Sequence, residues 1–241
     1  MTAVAENLRQ VRARIAAARA LAGRLPGVEL VAVSKTHSAA LVCEAFAAGQ
    51  RLFGENRVQE LAAKAAEVAR SLGQQAAELQ WHLIGSLQTN KVPDLLRVPG
   101  LALVHSLDRA RLADELQRHL VRLDRRLDVL LQVHATDEPT KHGCAFAEAP
   151  ALLDHVQVRC PNLAVTGVMA MAPLQGEPMP AFERTVALCS DLRARTGLGL
   201  PVLSLGMSSD FEAAIAAGST LVRVGTAVFG QRAVEGRPPA P

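Results

Sequence analysis

A lysine stands where a buried run of the chain ends. Lys35 follows the apolar or small residues 31–34 and precedes Thr36 and His37. An amine that emerges from such a run into a cleft is desolvated, which favours its neutral form and therefore nucleophilic attack on an aldehyde. The alternative is a surface lysine that merely ends a strand. Position alone leaves both interpretations open.

Two glycine-containing segments near the other end of the sequence indicate a phosphate site. The first, residues 206–210, leads into an apolar helical pattern, and Ser208 or Ser209 can cap that helix. Backbone N–H groups and the positive dipole at a helix start attract anions. In the second segment, Gly225 lets the backbone approach a ligand closely, and Thr226 adds a hydroxyl donor. The alternative is an ordinary helix cap beside a tight turn.

Arg223, two residues before Gly225, adds a positive charge to the same region. Its guanidinium only donates hydrogen bonds and keeps its proton. An amine and a phosphate site on one cleft suit a phosphorylated aldehyde, either a sugar phosphate or pyridoxal 5′-phosphate (PLP). Facing a pyridine nitrogen, an arginine would keep that nitrogen unprotonated and make the ring a weaker electron sink. The alternative is a buried strand residue paired with a carboxylate such as Glu212.

The elements that must position these residues alternate between strand and helix. Eight β-type runs, several almost continuously apolar, are expected at 29–34, 51–54, 80–85, 101–106, 127–133, 163–169, 201–206 and 220–225. Helices are expected between them, at 38–49, 56–72, 88–97, 108–122, 145–158, 180–196 and 208–217. Such alternation gives a parallel sheet, either closed into a barrel or open and doubly wound. A doubly wound sheet should carry a glycine-rich turn after its first strand, and residues 33–38 contain no glycine.

The sequence therefore predicts an α/β fold, a single (β/α)8 TIM-type barrel over residues 1–232. An extra N-terminal helix is expected at 4–22, and residues 233–241 are expected to form a disordered Pro-rich tail. The active site of such a barrel lies at the carboxyl ends of its strands. Lys35, the serines after strand seven and Gly225 after strand eight all fall at such ends.

Composition narrows the class of protein. Hydrophobic residues make up 49% of the 241 residues, charged residues 20%, and the net charge is +3, which is typical of a globular protein. The basic stretch 122–126 is interrupted by an acid and has no aromatic neighbours for base stacking, so we expect no nucleic-acid binding. Charges interrupt the apolar positions of the first twenty residues, so we expect no signal peptide and no membrane span. Four widely spaced cysteines indicate reduced thiols in a cytoplasmic protein and no metal site.

Five segments together resemble the pyridoxal phosphate homeostasis protein family, whose fold is similar to the barrel domain of alanine racemase. They are AVSKTHS at 32–38, LFGENRVQEL at 52–61, WHLIGSLQTNK at 81–91, GVMAMAP at 167–173 and LSLGMSSDFEAAIAAGSTLVRVGTAVFG at 203–230. The resemblance extends from the N-terminal helix to about Gln231. Three positions depart from the commonest family pattern: Arg57 in place of tyrosine, Ser86 in place of histidine, and His134 in place of asparagine.

The resemblance implies PLP as the cofactor and assigns residues to it. By resemblance, Lys35 is the Schiff-base lysine and Arg223 faces the pyridine nitrogen. The phosphate would be bound by Ser208, Gly225 and Thr226, and the cofactor would be lined by Asn56 and Met207.

The main alternative to a PLP carrier or buffer is a PLP-dependent amino-acid racemase. A two-base racemase needs an acid/base group on each face of the substrate, and in alanine racemase one is a tyrosine from a second domain. This sequence contains no tyrosine, and only eleven residues follow Gly230. His37 or His82 could replace that base, but a helix-entry histidine and a packed core histidine are the simpler interpretations. The sequence therefore favours cofactor binding without robust turnover.

Two further hypotheses concern substrate and partners. A lysine-dependent aldolase acting on a sugar phosphate would share the amine and the phosphate site but bind no PLP. A carrier of PLP could deliver it to apo forms of PLP-dependent enzymes, although no segment identifies a docking face. A monomer is the expected oligomeric state.

Overall fold

The computed structural model describes residues 2–23, 27–135, 143–173 and 175–231. Its eight parallel strands form a closed barrel in which each strand pairs with the next along the chain and the last pairs with the first. They are β1 Glu29–Val33, β2 Leu52–Glu55, β3 Gln80–Leu83, β4 Leu101–Leu107, β5 Leu127–Gln132, β6 Leu163–Met169, β7 Val202–Ser204 and β8 Leu221–Val224. The predicted (β/α)8 barrel is confirmed. The tail expected at 233–241 lies outside the described residues.

Helices surround the barrel between the strands. They are α1 Ala3–Leu21, α2 Ala39–Ala47, α3 Val58–Leu72, α4 Val92–Leu96, α5 Ala110–Arg122, α6 Ala149–Arg159, α7 Met179–Thr196, α8 Phe211–Ala217 and α9 Thr226–Phe229. The extra helix α1 is capped by Thr2, whose hydroxyl accepts from the Ala5 N–H. It buries a stripe with spacings of three and four against α2, α8 and α9. This stripe consists of Val4, Leu8, Val11, Ile15 and Ala18.

The strands separate two interiors because their side chains alternate between faces. One face packs against the helices and forms the main hydrophobic core, to which Phe53, Trp81, Leu203 and Val222 belong. The opposite face points into the barrel, where Leu103, Leu130 and Met169 form a small separate apolar cluster. Several of the remaining inward positions carry buried polar side chains.

Several helices differ from the sequence expectation. The helix expected at 88–97 begins with a 3-10 turn at Thr89–Lys91, and α4 follows with Pro93 in its first turn, where a missing N–H costs nothing. The helix expected from 208 begins at Phe211, after the Asp210 cap. The one-turn helix α9 after β8 was not expected from the sequence.

Candidate functional site

The residues predicted for the site lie at the carboxyl ends of four consecutive strands. Around the barrel, β7 pairs with β8, β8 with β1, and β1 with β2. The candidate residues are Met207 and Ser208 after β7, Arg223 in β8, Gly225 and Thr226 after β8, Lys35 after β1, and Asn56 after β2. The fold therefore brings them to one sector of the barrel mouth, the end of the barrel at which the strands finish.

Lys35 is half-buried in the turn after β1, and side chains of α3 hold this turn on both sides of it. Lys64 Nζ donates to the carbonyl oxygen of Ser34 at 2.6 Å. The Thr36 N–H donates to Glu60 Oε1 at 2.5 Å. Thr36 has a φ of 66°, in the left-handed region that a β-branched residue rarely adopts. The backbone around Lys35 is thus fixed by an ammonium and a carboxylate from the same helix.

Lys64 is a buried structural cation. Each of its three N–H donors has an acceptor: the Ser34 carbonyl, Glu55 Oε1 at 2.6 Å and Glu60 Oε1 at 3.1 Å. The Ser34 hydroxyl also donates to Glu55 Oε1, at 2.6 Å. Burial raises the pKa of Glu55, and the neighbouring Lys64 acts in the opposite direction. An ammonium whose protons are all donated is not available as a nucleophile.

Lys64 and Glu60 were not predicted as part of the site, although α3 carries a signal for them. Lys64 lies three residues after Leu61 and four before Val68, on the apolar face of the helix. A charged residue on such a face requires a buried partner. Glu60 lies four residues before Lys64, a spacing at which two side chains on a helix meet, and it forms an ion pair with Lys64.

The two phosphate-type loops meet at the mouth. The Gly225 N–H donates to Ser208 Oγ at 3.3 Å, which joins the loop after β8 to the loop after β7. Gly225 also lies against β1: a Cβ added to it would stand 3.2 Å from the carbonyl oxygen of Val33. On the outer side, the His37 ring stacks on Phe229 with centroids 5.2 Å apart. The turn of Lys35 and both loops therefore form one continuous surface.

The proposed helix cap in the first loop was wrong. Asp210, and neither Ser208 nor Ser209, is the N-cap residue of α8. The Asp210 carboxylate folds back and accepts the Met207 N–H at 2.6 Å, so the loop closes on an acidic side chain. Ser208 is thereby released from the helix and directed towards Gly225.

Arg223 is buried in β8 and anchored on the two preceding strands. Its Nη1 donates to the Ser204 carbonyl at 2.6 Å and to Ser204 Oγ at 2.5 Å, and its Nη2 donates to the Ala170 carbonyl at 3.0 Å. The alternative pairing with Glu212 is wrong, because Glu212 accepts from Arg14 on the outside of the barrel. Burial lowers the pKa of Arg223 to about 10, so it stays charged at neutral pH, with Asp210 acting in the opposite direction.

A buried polar chain continues from Arg223 across the barrel interior. His105 Nδ1 lies 3.0 Å from Ser204 Oγ, and His105 Nε2 lies 3.0 Å from His82 Nδ1. Burial lowers the pKa of His82 to about 4 and that of His105 well below its usual value, so both rings are neutral. His82 was predicted to be a packed core histidine, whereas Ser204 and His105 were not predicted as part of the site. The signal for His105 was a polar residue on the same face of β4 as Leu103, within an almost continuously apolar run.

A second cluster of titratable groups lies away from the mouth, between α5 and α6. His155 Nε2 contacts Asp114 Oδ1 at 2.7 Å, and Cys160 Sγ lies 3.9 Å from the same oxygen. Burial, together with the negative charge of Asp114, raises the pKa of Cys160 to about 11. The thiol therefore keeps its proton and donates it to Asp114. The cluster is accounted for as a hydrogen-bonded contact between two helices.

Comparisons with known proteins agree with this architecture. Residues 5–233 match the family described as alanine racemase, N-terminal domain. The chain is 43% identical to the pyridoxal phosphate homeostasis protein of Pseudomonas aeruginosa, over 96% of this chain and 97% of that protein. The solved structure of PipY from Synechococcus elongatus with PLP bound shares 37% identity and a TM-score of 0.81, over 94% of this chain and 100% of that one.

More distant relatives share the fold alone. An alanine racemase of Clostridium difficile is 14% identical, with a TM-score of 0.72, and the match covers 94% of this chain and 57% of the racemase.

Within the described residues, every helix is too short or too polar to cross a bilayer. The near-full-length matches at about 40% identity decide the narrower classification. The chain belongs to the pyridoxal phosphate homeostasis protein family, within the wider family of the alanine racemase N-terminal domain.

Proposed function

We propose that this protein binds PLP as a Schiff base on Lys35 and acts in PLP homeostasis as a carrier or buffer of the cofactor. The observation that carries the proposal is the position of Lys35 in a fixed turn at the barrel mouth, two residues after Val33, against which Gly225 of the loop after β8 lies. Relatives named for pyridoxal phosphate homeostasis and the PLP-bound PipY structure support the same cofactor.

The sequence contains four lysines, Lys35, Lys64, Lys91 and Lys141, and the structure describes the first three. Their surroundings distinguish these three lysines from one another. Each N–H of the Lys64 ammonium donates a hydrogen bond to a buried or partly buried acceptor. Lys91 lies at the end of a 3-10 turn after β3. Lys35 is therefore the amine we assign to the aldehyde. Its neutral nitrogen would be the nucleophile towards the aldehyde carbon, and the attachment would release water without a change in oxidation state.

The remaining candidate residues fit the other groups of the cofactor. Arg223 is a buried donor in β8, suited to a pyridine nitrogen that it leaves unprotonated. Ser208, Gly225 and Thr226 bring two loops together where a phosphate would be bound, and Asn56 and Met207 border the same sector. PLP held in this way would supply an electrophilic aldehyde and a ring whose electron-withdrawing power Arg223 keeps low.

We further propose that the protein performs no robust turnover and that it is a cytoplasmic monomer able to deliver PLP to apo forms of PLP-dependent enzymes. The histidines near the reacting groups are committed elsewhere: His82 and His105 hydrogen-bond each other inside the barrel, and His37 stacks on Phe229. The naming of the relatives for homeostasis supports a role in handling the cofactor.

The attachment site can be tested directly. The purified protein should absorb in the violet, lose that band on borohydride reduction, and carry the reduced adduct on Lys35 by peptide mass spectrometry. Lys35→Ala should abolish the band and the adduct, whereas Lys91→Ala, the matched lysine control, should retain both. An adduct on another residue, or a Schiff-base band in Lys35→Ala, would contradict the assignment.

Delivery requires a second experiment. An apo PLP-dependent enzyme should regain activity when mixed with the loaded protein, at a rate that differs from its recovery in an equal concentration of free PLP. Rapid racemisation of alanine by the loaded protein would contradict the proposed carrier role and favour an enzyme.

A further inference from the structure

Four buried polar side chains form an unbroken line through the barrel interior. The Arg223 guanidinium contacts Ser204 Oγ at 2.5 Å, Ser204 Oγ contacts His105 Nδ1 at 3.0 Å, and His105 Nε2 contacts His82 Nδ1 at 3.0 Å. Ser204 and His105 are fully buried, and His82 and Arg223 are each only 4% exposed. Protons inside such a line must be shared out one per contact, because little water reaches it.

Arginine fixes how the protons are shared. A guanidinium can only donate, so Ser204 Oγ accepts from Arg223. The hydroxyl proton is then free to be donated to His105 Nδ1, which must be bare to accept it. A neutral imidazole with a bare Nδ1 carries its proton on Nε2, and His105 therefore donates to His82 Nδ1. His82 in turn keeps its proton on Nε2.

The opposite direction leaves a buried donor without an acceptor. If His105 Nδ1 carried the proton, Ser204 Oγ would accept from both Arg223 and His105, and the hydroxyl proton would have nowhere to go. Among the described residues, the Ser204 hydroxyl contacts only those two groups. A buried hydroxyl that cannot donate loses the hydrogen bond it made to water in the unfolded chain, so this arrangement is unfavourable. Burial opposes protonation of either ring, and the charge of Arg223 further opposes protonation of His105.

We propose that Arg223 directs a one-way hydrogen-bond chain through Ser204 and His105 to His82, which holds both histidines in the Nε2–H form and makes Ser204 and His105 positioning residues for the guanidinium. Arg223 is anchored in this arrangement on the Ala170 carbonyl and on both oxygens of Ser204. Three contacts fix the plane of the guanidinium as well as its position. The role towards PLP rests on the proposed function above, but the tautomers do not.

The tautomers can be measured without the cofactor. In protein labelled with ¹⁵N-histidine and stripped of PLP, long-range ¹⁵N–¹H correlation spectra at neutral pH should show a bare, pyridine-type Nδ1 and a protonated, pyrrole-type Nε2 for both residues. The signals are assigned by their loss in His82→Gln and His105→Gln. A pyrrole-type Nδ1 on either ring would overturn the direction of the chain.

The positioning role is tested with the loaded protein. Ser204→Ala removes the hydroxyl link but leaves the Ser204 carbonyl in place, and Ser204→Thr keeps the hydroxyl. We expect Ser204→Ala to weaken PLP binding about tenfold, as the loss of one charge-assisted hydrogen bond would. It should also shift the pH midpoint of the visible absorption band, because the guanidinium tunes the ring. Ser204→Thr should restore both. Unchanged affinity and an unchanged midpoint in Ser204→Ala would remove Ser204 from the positioning role.

The two proposals fail in distinguishable ways. Nε2–H tautomers together with no reduced adduct on Lys35 would refute PLP attachment and leave the chain intact. An adduct on Lys35 together with an Nδ1–H tautomer would refute the chain and leave attachment intact. A thermal unfolding temperature measured for each Ser204 variant confirms that the protein compared is folded.

Discussion

Lys64 Nζ donates to the carbonyl oxygen of Ser34 at 2.6 Å, so a buried ammonium on α3 is hydrogen-bonded to the peptide group immediately before Lys35. The same Nζ contacts Glu55 at the end of β2, and Glu60 on α3 binds the peptide after Lys35. The amine proposed for PLP attachment and the ammonium that holds its backbone are thus both lysines, with different roles. Lys64 donates to three acceptors as a structural cation, whereas the proposed function requires Lys35 to react as a neutral amine.

Replacing Lys64 with methionine should strongly destabilise the protein. The change leaves Glu55, which is fully buried, without its cationic partner, and breaking a buried pair from one side costs about 3–5 kcal/mol. Urea unfolding measures this loss. Removing both charges in a Lys64→Met, Glu55→Gln double variant should recover part of it, because the two residues are directly coupled.

An exposed ion pair provides the matched control. Arg97 and Asp94 pair across one helical turn with side chains 77% and 50% exposed. Arg97→Ala should cost less than about 1 kcal/mol. Equal losses in the free energy of unfolding for Lys64→Met and Arg97→Ala would mean that the buried ion pair beside the turn of Lys35 stabilises the protein no more than an exposed pair does.

Glu60→Ala should loosen the peptide that follows Lys35. Thr36 adopts a left-handed φ of 66°, and its N–H is held by Glu60. Without that acceptor, we expect the Thr36 amide to exchange faster with deuterium, which NMR-detected hydrogen exchange measures. Glu60→Gln keeps an oxygen acceptor and should retain most of the protection. Glu67→Ala, an exposed position on the same helix, should leave Thr36 unchanged; the same acceleration in Glu67→Ala would rule out a specific role for Glu60.

The sequence predicts the barrel well because strand and helix periodicity are local properties. It also predicts that Lys35, Arg223 and Gly225 lie at or near the carboxyl ends of strands. The barrel topology then brings these ends to one mouth. It does not predict the Lys64 cluster or the chain through His105 and Ser204. Apart from the Lys64–Glu60 pair within one helix, those contacts join residues between 9 and 99 positions apart, so their partners depend on which elements the fold brings together.

The misassigned cap of α8 has a similar physical origin. Ser208, Ser209 and Asp210 are all good cap residues, so their types do not choose among them. The choice is made by Gly206, whose φ of 89° turns the chain so that Asp210 meets the Met207 N–H. The residue types at 208–210 do not reveal that Gly206 has a positive φ, so they do not predict which of the three is the cap.

Gly206→Ala should therefore destabilise the loop that carries Ser208. A Cβ at this position would lie 2.6 Å from the Ala214 Cβ and 2.8 Å from the Phe211 Cα, in addition to the strain of the positive φ. Overpacking of this kind costs about 1–3 kcal/mol beyond the conformational penalty. Gly197→Ala, at a φ of 72° with nothing within 4 Å of the added Cβ, isolates the conformational penalty. Urea unfolding of the two variants should differ by the overpacking cost, and equal losses would exclude the close contact with α8.

The two buried histidines predict how stability depends on pH. An unfolded histidine takes up a proton near pH 6.5, whereas burial lowers the pKa of His82 to about 4 and that of His105 well below its usual value. Between these values the unfolded chain binds more protons than the folded one, so the free energy of unfolding falls as the pH falls. The contribution is complete above pH 6.5 and is lost progressively towards pH 4, with a slope of up to about 1.4 kcal/mol per pH unit for each histidine. Unfolding measured across this window should give a shallower slope in His82→Gln, whatever the variant's absolute stability. An unchanged slope would show that His82 titrates in the folded protein as it does in the unfolded chain.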